Sequence, residues 1–263
     1  MKGSLTCLLH LFLALAVCAC GPTDSGNPSA NPSSKVAGSL HLRALPGAEV
    51  VVIPSPTPST RVDEVWLSTG ESRFVSLSSC GSASEAGPRV APFPLGELSR
   101  GGEESVFDVS DEPSCRLALR LVPATAESLT AIKPSGLPTS APAELEGHSL
   151  LVRGQTATGV PFTLLTQVAA EVSLRGPLEG FGISAESNNF VLALQLERLL
   201  GGIDLSTAQL SQGSILIDTA HNTVLLTSIE SRLNNSFDLY QDDGDGILDA
   251  AELAPGPVAT SQP

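Results

Sequence analysis

Apolar and polar residues alternate over short runs along much of the chain after residue 37. The alternation is clearest at residues 62–67, 115–121 and 190–196. Because successive side chains of a strand point to opposite faces, a period of two predicts a strand with one buried face. Alternating or β-rich runs predict strands at residues 39–44, 49–53, 62–68, 73–78, 106–109, 116–122, 149–153, 160–167, 169–174, 190–196 and 214–218.

Glycine- and proline-rich gaps separate these runs. Many short strands broken in this way are typical of a mainly β protein, and we expect an antiparallel β-sandwich. Residues 124–142 contain three prolines and are predicted to form a linker or a long loop. They divide a first β region, 37–123, from a second, 143–221, in either one large domain or two small ones.

The spacing of apolar positions changes to three and four residues near the C-terminus. A helix is therefore predicted over residues 222–239, with Asn222 as its N-cap, within a C-terminal region that spans 222–254. Residues 255–263 begin with Pro-Gly-Pro, which stops a helix, and are expected to be a disordered tail. The apolar stripe of the helix, which we expect to pack on the β body, consists of Leu225, Leu226, Ile229, Leu233 and Phe237.

The predicted helix leads into the sequence QDDGDGILDAAEL, residues 241–253. This stretch resembles the loop of an EF-hand, a twelve-residue calcium-binding motif with ligands at positions 1, 3, 5, 7, 9 and 12. Placing Gly246 at position 6, where the motif turns sharply, fixes the register. The resemblance then implies a Ca²⁺ site formed by Gln241, Asp243, Asp245, the carbonyl of Ile247, Asp249 and Glu252.

Oxygen atoms are the only donors in this loop, which suits the hard ion Ca²⁺ and not zinc or copper. Gln241 departs from the aspartate that EF-hands carry at position 1, so one charge is lost and a weak Kd of about 10⁻⁴–10⁻³ M is expected. There is no second loop of this kind in the sequence. We therefore expect the ion to be a structural clip rather than a sensor, with a bare acidic loop as the alternative.

The N-terminus has the features of an exported bacterial lipoprotein. Lys2 precedes an apolar run over residues 5–17, which is too short to span a bilayer. Ala19-Cys20 resembles the end of a lipobox, which implies removal of residues 1–19 and lipidation of Cys20, for example with palmitate. The alternative is an ordinary secretory signal that is cut at the same bond. Residues 20–36 are rich in Pro, Ser, Gly and Asn and predict a flexible tether.

Charge and cysteine usage narrow the picture further. The net charge of −14, from 28 acidic and 14 basic side chains, argues against nucleic acid as a partner. Cys7 and Cys18 belong to the predicted signal peptide, and Cys20 is the predicted lipidation site. Cys80 and Cys115 are the two cysteines that remain. In the oxidising compartment of an exported protein they are predicted to form a disulfide, which contributes roughly 2–4 kcal/mol to the free energy of unfolding. Two separate buried thiols are the alternative.

The sequence contains no recognisable catalytic motif. GxSxG, HExxH and CxxC are absent, and His41, His148 and His221 lie far apart and share no motif. We therefore predict that the protein is not an enzyme and has no catalytic residue. The predicted function is that of a membrane-anchored binding or cell-surface module, with an unknown protein or glycan as its partner.

The body also resembles uncharacterised outer-membrane lipoproteins of soil bacteria, which have transthyretin-like or immunoglobulin-like sandwiches. The resemblance rests on Cys80 at the end of one predicted strand, Cys115 at the start of another, and the C-terminal stretch LLTSIESRLNNSFDLYQDDGDG. It implies a lipid-anchored protein of the bacterial cell envelope, at the outer membrane. Two further function classes stay open: a hydrolase of an envelope polymer with catalytic carboxylates that the sequence does not identify, and a purely structural envelope component.

Overall fold

The chain folds into a mainly β structure, which we describe from a computed structural model. The described residues are 37–45, 51–53, 60–92, 96–97, 104–108, 112–131, 142–184 and 187–261, and they belong to one compact unit. The predicted signal peptide, Cys20 and the tether lie outside them. Within these ranges, no helix is both long enough and apolar enough to cross a membrane.

Strands account for 45% of the structure and helices for 18%. The strands are β1 (Ala37–Leu45), β2 (Val51–Ile53), β3 (Thr60–Leu67), β4 (Ser72–Ser76), β5 (Arg89–Val90), β6 (Gly96–Glu97), β7 (Glu104–Asp108), β8 (Ser114–Leu121), β9 (Leu150–Gln155), β10 (Pro161–Thr166), β11 (Ala170–Arg175), β12 (Asn189–Gln195), β13 (Leu210–Ser211), β14 (Ser214–Ile217), β15 (Phe237–Gln241) and β16 (Ala259–Ser261). The helices are α1 (Ala126–Ala131), α2 (Leu196–Leu200), α3 (Thr223–Leu233) and α4 (Ala250–Leu253). Each strand expected from the alternating pattern overlaps an observed strand.

The strands form two mixed sheets. The larger has the order β5-β4-β8-β11-β16-β15-β12-β1-β7, and its edge strands β5 and β7 contact one another, so the sheet curls towards closure. The smaller has the order β13-β14-β10-β9-β3-β2, with β6 also paired to β3. The pairs β1–β12 and β10–β14 are parallel, so the wholly antiparallel sandwich that we predicted is corrected. Parallel neighbours need crossover connections, which an alternating pattern does not reveal.

Apolar side chains from both sheets meet in one core. Phe74 lies at its centre, with ring centroids 4.7 Å from Phe107, 6.1 Å from Phe181 and 5.6 Å from Phe190. These residues come from both sides of the predicted linker at 124–142, so the two predicted β regions share this core. Part of that linker forms α1, and residues 132–141 lie outside the described chain.

The C-terminal helix is shorter than predicted and does not lead into the acidic loop. Helix α3 ends at Leu233, and the chain turns at residues 234–236 to become strand β15. Asn and Ser at these positions favour turns over helix interiors. Asn222 lies at the start of α3 but makes no capping bond; its side-chain amide donates to the carbonyl of Leu216 instead (2.7 Å).

The predicted disordered tail contains a buried strand. Ala259–Ser261 form β16, which pairs with both β11 and β15 in the middle of the larger sheet. The Ser261 hydroxyl donates to the carbonyl of Phe237 (2.8 Å) and accepts from its amide (2.9 Å). A three-residue strand is too short to show an alternating pattern, which explains why the sequence did not reveal it.

The predicted disulfide is confirmed. Cys80 and Cys115 are bonded, with their Cα atoms 6.4 Å apart. The bond joins the turn after β4 to the start of β8, and β4 and β8 are neighbours in the larger sheet. Both cysteines therefore lie at the ends of paired strands, where the chain can hold them at bonding distance.

An ion pair between the half-exposed Arg198 and the buried Asp238 fastens α2 to the larger sheet. Asp238 is fully buried on the face of β15 opposite the core, and its two carboxylate oxygens each accept from Arg198 at 2.8 Å. Gln195 donates a further bond to Oδ2 of Asp238 (2.9 Å). Tyr240 lies beside this group, and burial raises the pKa of its hydroxyl.

Replacing Arg198 with Met should lower the free energy of unfolding by about 3 kcal/mol, because the buried Asp238 carboxylate would lose its cation. Urea unfolding measures the change. The double variant R198M/D238L should recover most of the loss, since it removes the buried charge as well. R89M is the matched control, because the Arg89–Glu71 pair is exposed and should contribute less than about 1 kcal/mol. Equal losses in R198M and R89M would refute the prediction.

Candidate metal centre

The acidic loop connects two neighbouring central strands, β15 and β16. At its start, the amide of Asp242 donates to the carbonyl of Asn189 in β12 (3.0 Å). At its end, the amide of Val258 donates to the carbonyl of Leu239 (2.8 Å). In its middle, the Arg43 guanidinium of β1 donates to the carbonyl of Gly246. The loop is therefore fixed to the sheet at three points along its length.

Three carboxylates converge in this loop. One side-chain oxygen from each of Asp242, Asp243 and Glu252 lies within 4.8 Å of the other two. Asp242 is only 6% exposed. Its Oδ2 accepts from the amides of Gly244 (2.9 Å) and Gly246 (3.1 Å), whereas its Oδ1 is buried and has no hydrogen-bond partner. Such an oxygen can accept a hydrogen bond or coordinate a cation.

Glu252 links two parts of the loop by hydrogen bonds. Its Oε1 accepts from the amide of Asp243 (2.8 Å), and its Oε2 accepts from the amide of Asp249 (2.9 Å). Asp249 is the N-cap of α4 and accepts from the amides of Ala251 and Glu252, so the two side chains form a capping box. This reciprocal arrangement satisfies amides at the start of a helix that is only one turn long.

The structure groups only part of the predicted ligand set. Asp243 and Glu252 lie together, with Asp242 as the third member. Asp245 accepts from the amide of Ile247 (2.7 Å) and is not in this group. Asp249 is engaged in the helix cap described above. The remaining predicted ligands, Gln241 at the end of β15 and Ile247 within the loop, are both exposed.

Gly246 has the backbone conformation that the motif requires. Its φ angle is +69°, in the left-handed region that favours glycine. A Cβ atom at this position would also lie 2.8 Å from Nδ1 of His41 on β1. Both constraints come from packing the loop closely against the sheet, so glycine is required here whether or not an ion is bound.

A single arginine offsets part of the negative charge. Burial lowers the pKa of Arg43, and the carboxylates of Asp242 and Asp245 oppose that shift. The loop carries Asp242, Asp243, Asp245, Asp249 and Glu252 within eleven residues of sequence. One guanidinium cannot neutralise five carboxylates, so the loop keeps a net negative charge that attracts cations.

Asp242 is the member of the group that the sequence analysis missed. The EF-hand register assigns it to position 2, which supplies no ligand. The missed indication was period-two alternation in residues 237–240, where Asp238 and Tyr240 lie on the face of β15 opposite Phe237 and Leu239, and Asp242 follows directly after this strand. Extending the predicted helix through these residues concealed that alternation.

No protein-family profile, curated protein or solved structure matches the chain. The geometry above is therefore the basis for assigning a role to this loop.

Replacing Arg43 with Gln should lower the free energy of unfolding by about 1–3 kcal/mol, because Gly246 loses a charge-assisted hydrogen bond and the carboxylates lose their cation. Chemical unfolding at low and high salt measures the effect, which should shrink at high salt as the repulsion is screened. R61Q is the control, since Arg61 is half-exposed and pairs with Asp63 away from this loop. A loss independent of salt would contradict the electrostatic explanation.

Proposed function

We propose that the protein is an exported, lipid-anchored binding module of the bacterial envelope, with one structural calcium site in the acidic loop. The observation that carries the calcium site is the buried Asp242 carboxylate, whose Oδ1 has no hydrogen-bond partner and which lies with Asp243 and Glu252. Oxygen donors of this kind, several of them charged, are the ligands that Ca²⁺ prefers.

Two ligand sets compete within this proposal. The EF-hand register uses Asp245 and Asp249 together with Asp243, Glu252 and two neutral oxygens. The observed grouping uses Asp242 in place of Asp245 and Asp249. The absence of an incoming helix favours the observed grouping, because the EF-hand register assumes a helix where the chain forms β15.

The topology favours a structural role for the ion. The loop joins adjacent strands at the centre of the larger sheet and is fixed to β1 and β12. An ion shared by Asp242 and Glu252 would link the end of β15 to α4. It would therefore stabilise the segment that leads to β16. A sensor would instead need an element that moves to expose a binding surface.

Two clefts among the described residues give the hydrolase alternative no support. Such an enzyme needs two carboxylates facing one another across a cleft. Two described clefts, one containing Asp204 and the other Glu85, each include a single carboxylate in their lining. We therefore retain the binding module as the proposed function.

Calcium should raise the melting temperature of the purified chain by several degrees. With a Kd of about 10⁻⁴–10⁻³ M, calcium at about 10 mM stabilises the native state by roughly 1.4–2.7 kcal/mol. For a chain of this size, that corresponds to roughly 3–10 °C. Thermal melts with calcium and with chelator measure the shift, and Glu252→Gln should abolish it. If calcium does not change the melting temperature, the loop is an acidic connection between β15 and β16 without a calcium site.

Two further variants separate the competing ligand sets. Asp242→Asn should remove the calcium-dependent gain if the observed grouping binds the ion, and it retains an oxygen for the glycine amides. Asp245→Asn should then leave the gain nearly unchanged. The reverse result, with loss in D245N and retention in D242N, would support the EF-hand register instead. Melts of all variants in chelator give the baseline stability against which each gain is measured.

Cys20 should carry the lipid. Expression in a bacterial host with labelled palmitate is expected to label the wild-type chain and the Cys18→Ala variant but not Cys20→Ser. The unlabelled variant should also leave the membrane fraction, because a lipid chain contributes about 0.8 kcal/mol of membrane affinity per buried methylene group. An unlabelled, soluble wild-type chain would favour the ordinary secretory signal.

A further inference from the structure

A second candidate site lies beside the disulfide, in a cleft that shares no lining residue with the acidic loop. A cleft of about 560 Å³ opens there on the face of the larger sheet opposite the core. Arg116 of β8 and Ser173 and Arg175 of β11 line it, and these side chains alternate with buried apolar residues of the same strands. The volume lies within the range of small-molecule sites in proteins.

Both walls of this cleft are held in place covalently or by hydrogen bonds. Leu77 and Cys80 line one wall, and the disulfide fixes it to the start of β8. The other wall is the turn at residues 177–180, closed by a bond from the Gly180 amide to the Pro177 carbonyl (2.9 Å). The turn holds Leu178 in water, with 99% of its surface exposed. Leu178 lines the cleft together with Leu77, so a ligand bound there would contact an apolar side chain on each wall.

The two arginines of the cleft differ in their partners. Arg116 pairs with Glu85 and Glu171 and donates to Ser173 (3.2 Å). Arg175 lies directly opposite Arg116 in the β8–β11 register, yet it forms no ion pair or side-chain hydrogen bond with any residue in the described ranges. Because it has no such partner, the Arg175 guanidinium is free to bind an anion. Like charges opposite one another are also unfavourable, and a bound anion would reduce that repulsion.

We propose that this cleft binds a small anionic amphiphile, with a carboxylate or phosphate on Arg175 and an apolar arm against Leu178 and Leu77. The inference rests on the proposed role as a binding module and gives that role a ligand class. It shares no residue with the acidic loop. A failure here would therefore leave the calcium melts unaffected, and a failure of the melts would leave this titration unaffected.

Titration of the full chain with octyl phosphate, below its micelle concentration, tests the proposal by calorimetry. Arg175→Gln should weaken binding about tenfold or more, because a charge-assisted hydrogen-bonded contact is lost. Arg175→Lys should bind at an intermediate level, since it keeps the charge but loses the planar fork. Leu178→Ser should weaken binding severalfold. Arg89→Gln is the matched control, an exposed arginine on the same sheet that is absent from the cleft lining, and it should bind like wild type.

Comparison ligands make the result decisive. Inorganic phosphate should bind much more weakly than octyl phosphate, because it has no apolar arm. Octylamine should not bind, because its charge is reversed. The proposal is overturned if octyl phosphate does not bind, if R175Q binds it like wild type, or if either comparison ligand binds as tightly. Far-ultraviolet circular dichroism of each variant confirms that the fold is intact before titration.

Discussion

The larger sheet depends on the pairing of one very short strand. Strand β16 lies between β15 and β11, so it joins the group β7, β1, β12 and β15 to the group β11, β8, β4 and β5. Thr260 pairs with both neighbours, and Ser261 pairs with β11 and adds two hydrogen bonds to the backbone of Phe237 in β15. Any segment that positions β16 therefore contributes to the assembly of the whole sheet.

The acidic loop is the segment that positions β16. It must close the connection between adjacent strands while bringing carboxylates together, which costs both chain entropy and electrostatic repulsion. Arg43 and the capping box around Glu252 offset part of this cost. A bound cation would offset more of it, and its contribution would reach the sheet through β16. The proposed cation site would therefore affect the stability of the whole unit and not only that of the loop.

The sequence predicted the longer strands well because period-two alternation is a local property that burial imposes on any half-buried strand. It failed for β15, because Phe237, four residues after Leu233, fits the apolar stripe of a helix as well as it fits a strand. Pairing with β12 makes this segment a strand. It also failed for Asp242, because the motif register describes spacing along the chain, whereas burial depends on the neighbouring strands. The disulfide was predictable by counting, since Cys80 and Cys115 were the two cysteines to which the sequence analysis assigned no other predicted role.

The two candidate sites have opposite charge and share one face of the sheet. The acidic loop packs on β1 and β12 through His41 and Asn189, and Arg175 belongs to β11. The loop leaves from β15 and returns to β16, and β16 pairs directly with β11, so the end of the loop at Val258 lies beside the strand that carries Arg175. Negative charge on the loop should therefore oppose an anion bound at Arg175, and physiological ionic strength, with a screening length of about 8 Å, should weaken that repulsion. At low salt the screening length grows to about 30 Å, and a calcium ion in the loop would then strengthen anion binding in the cleft.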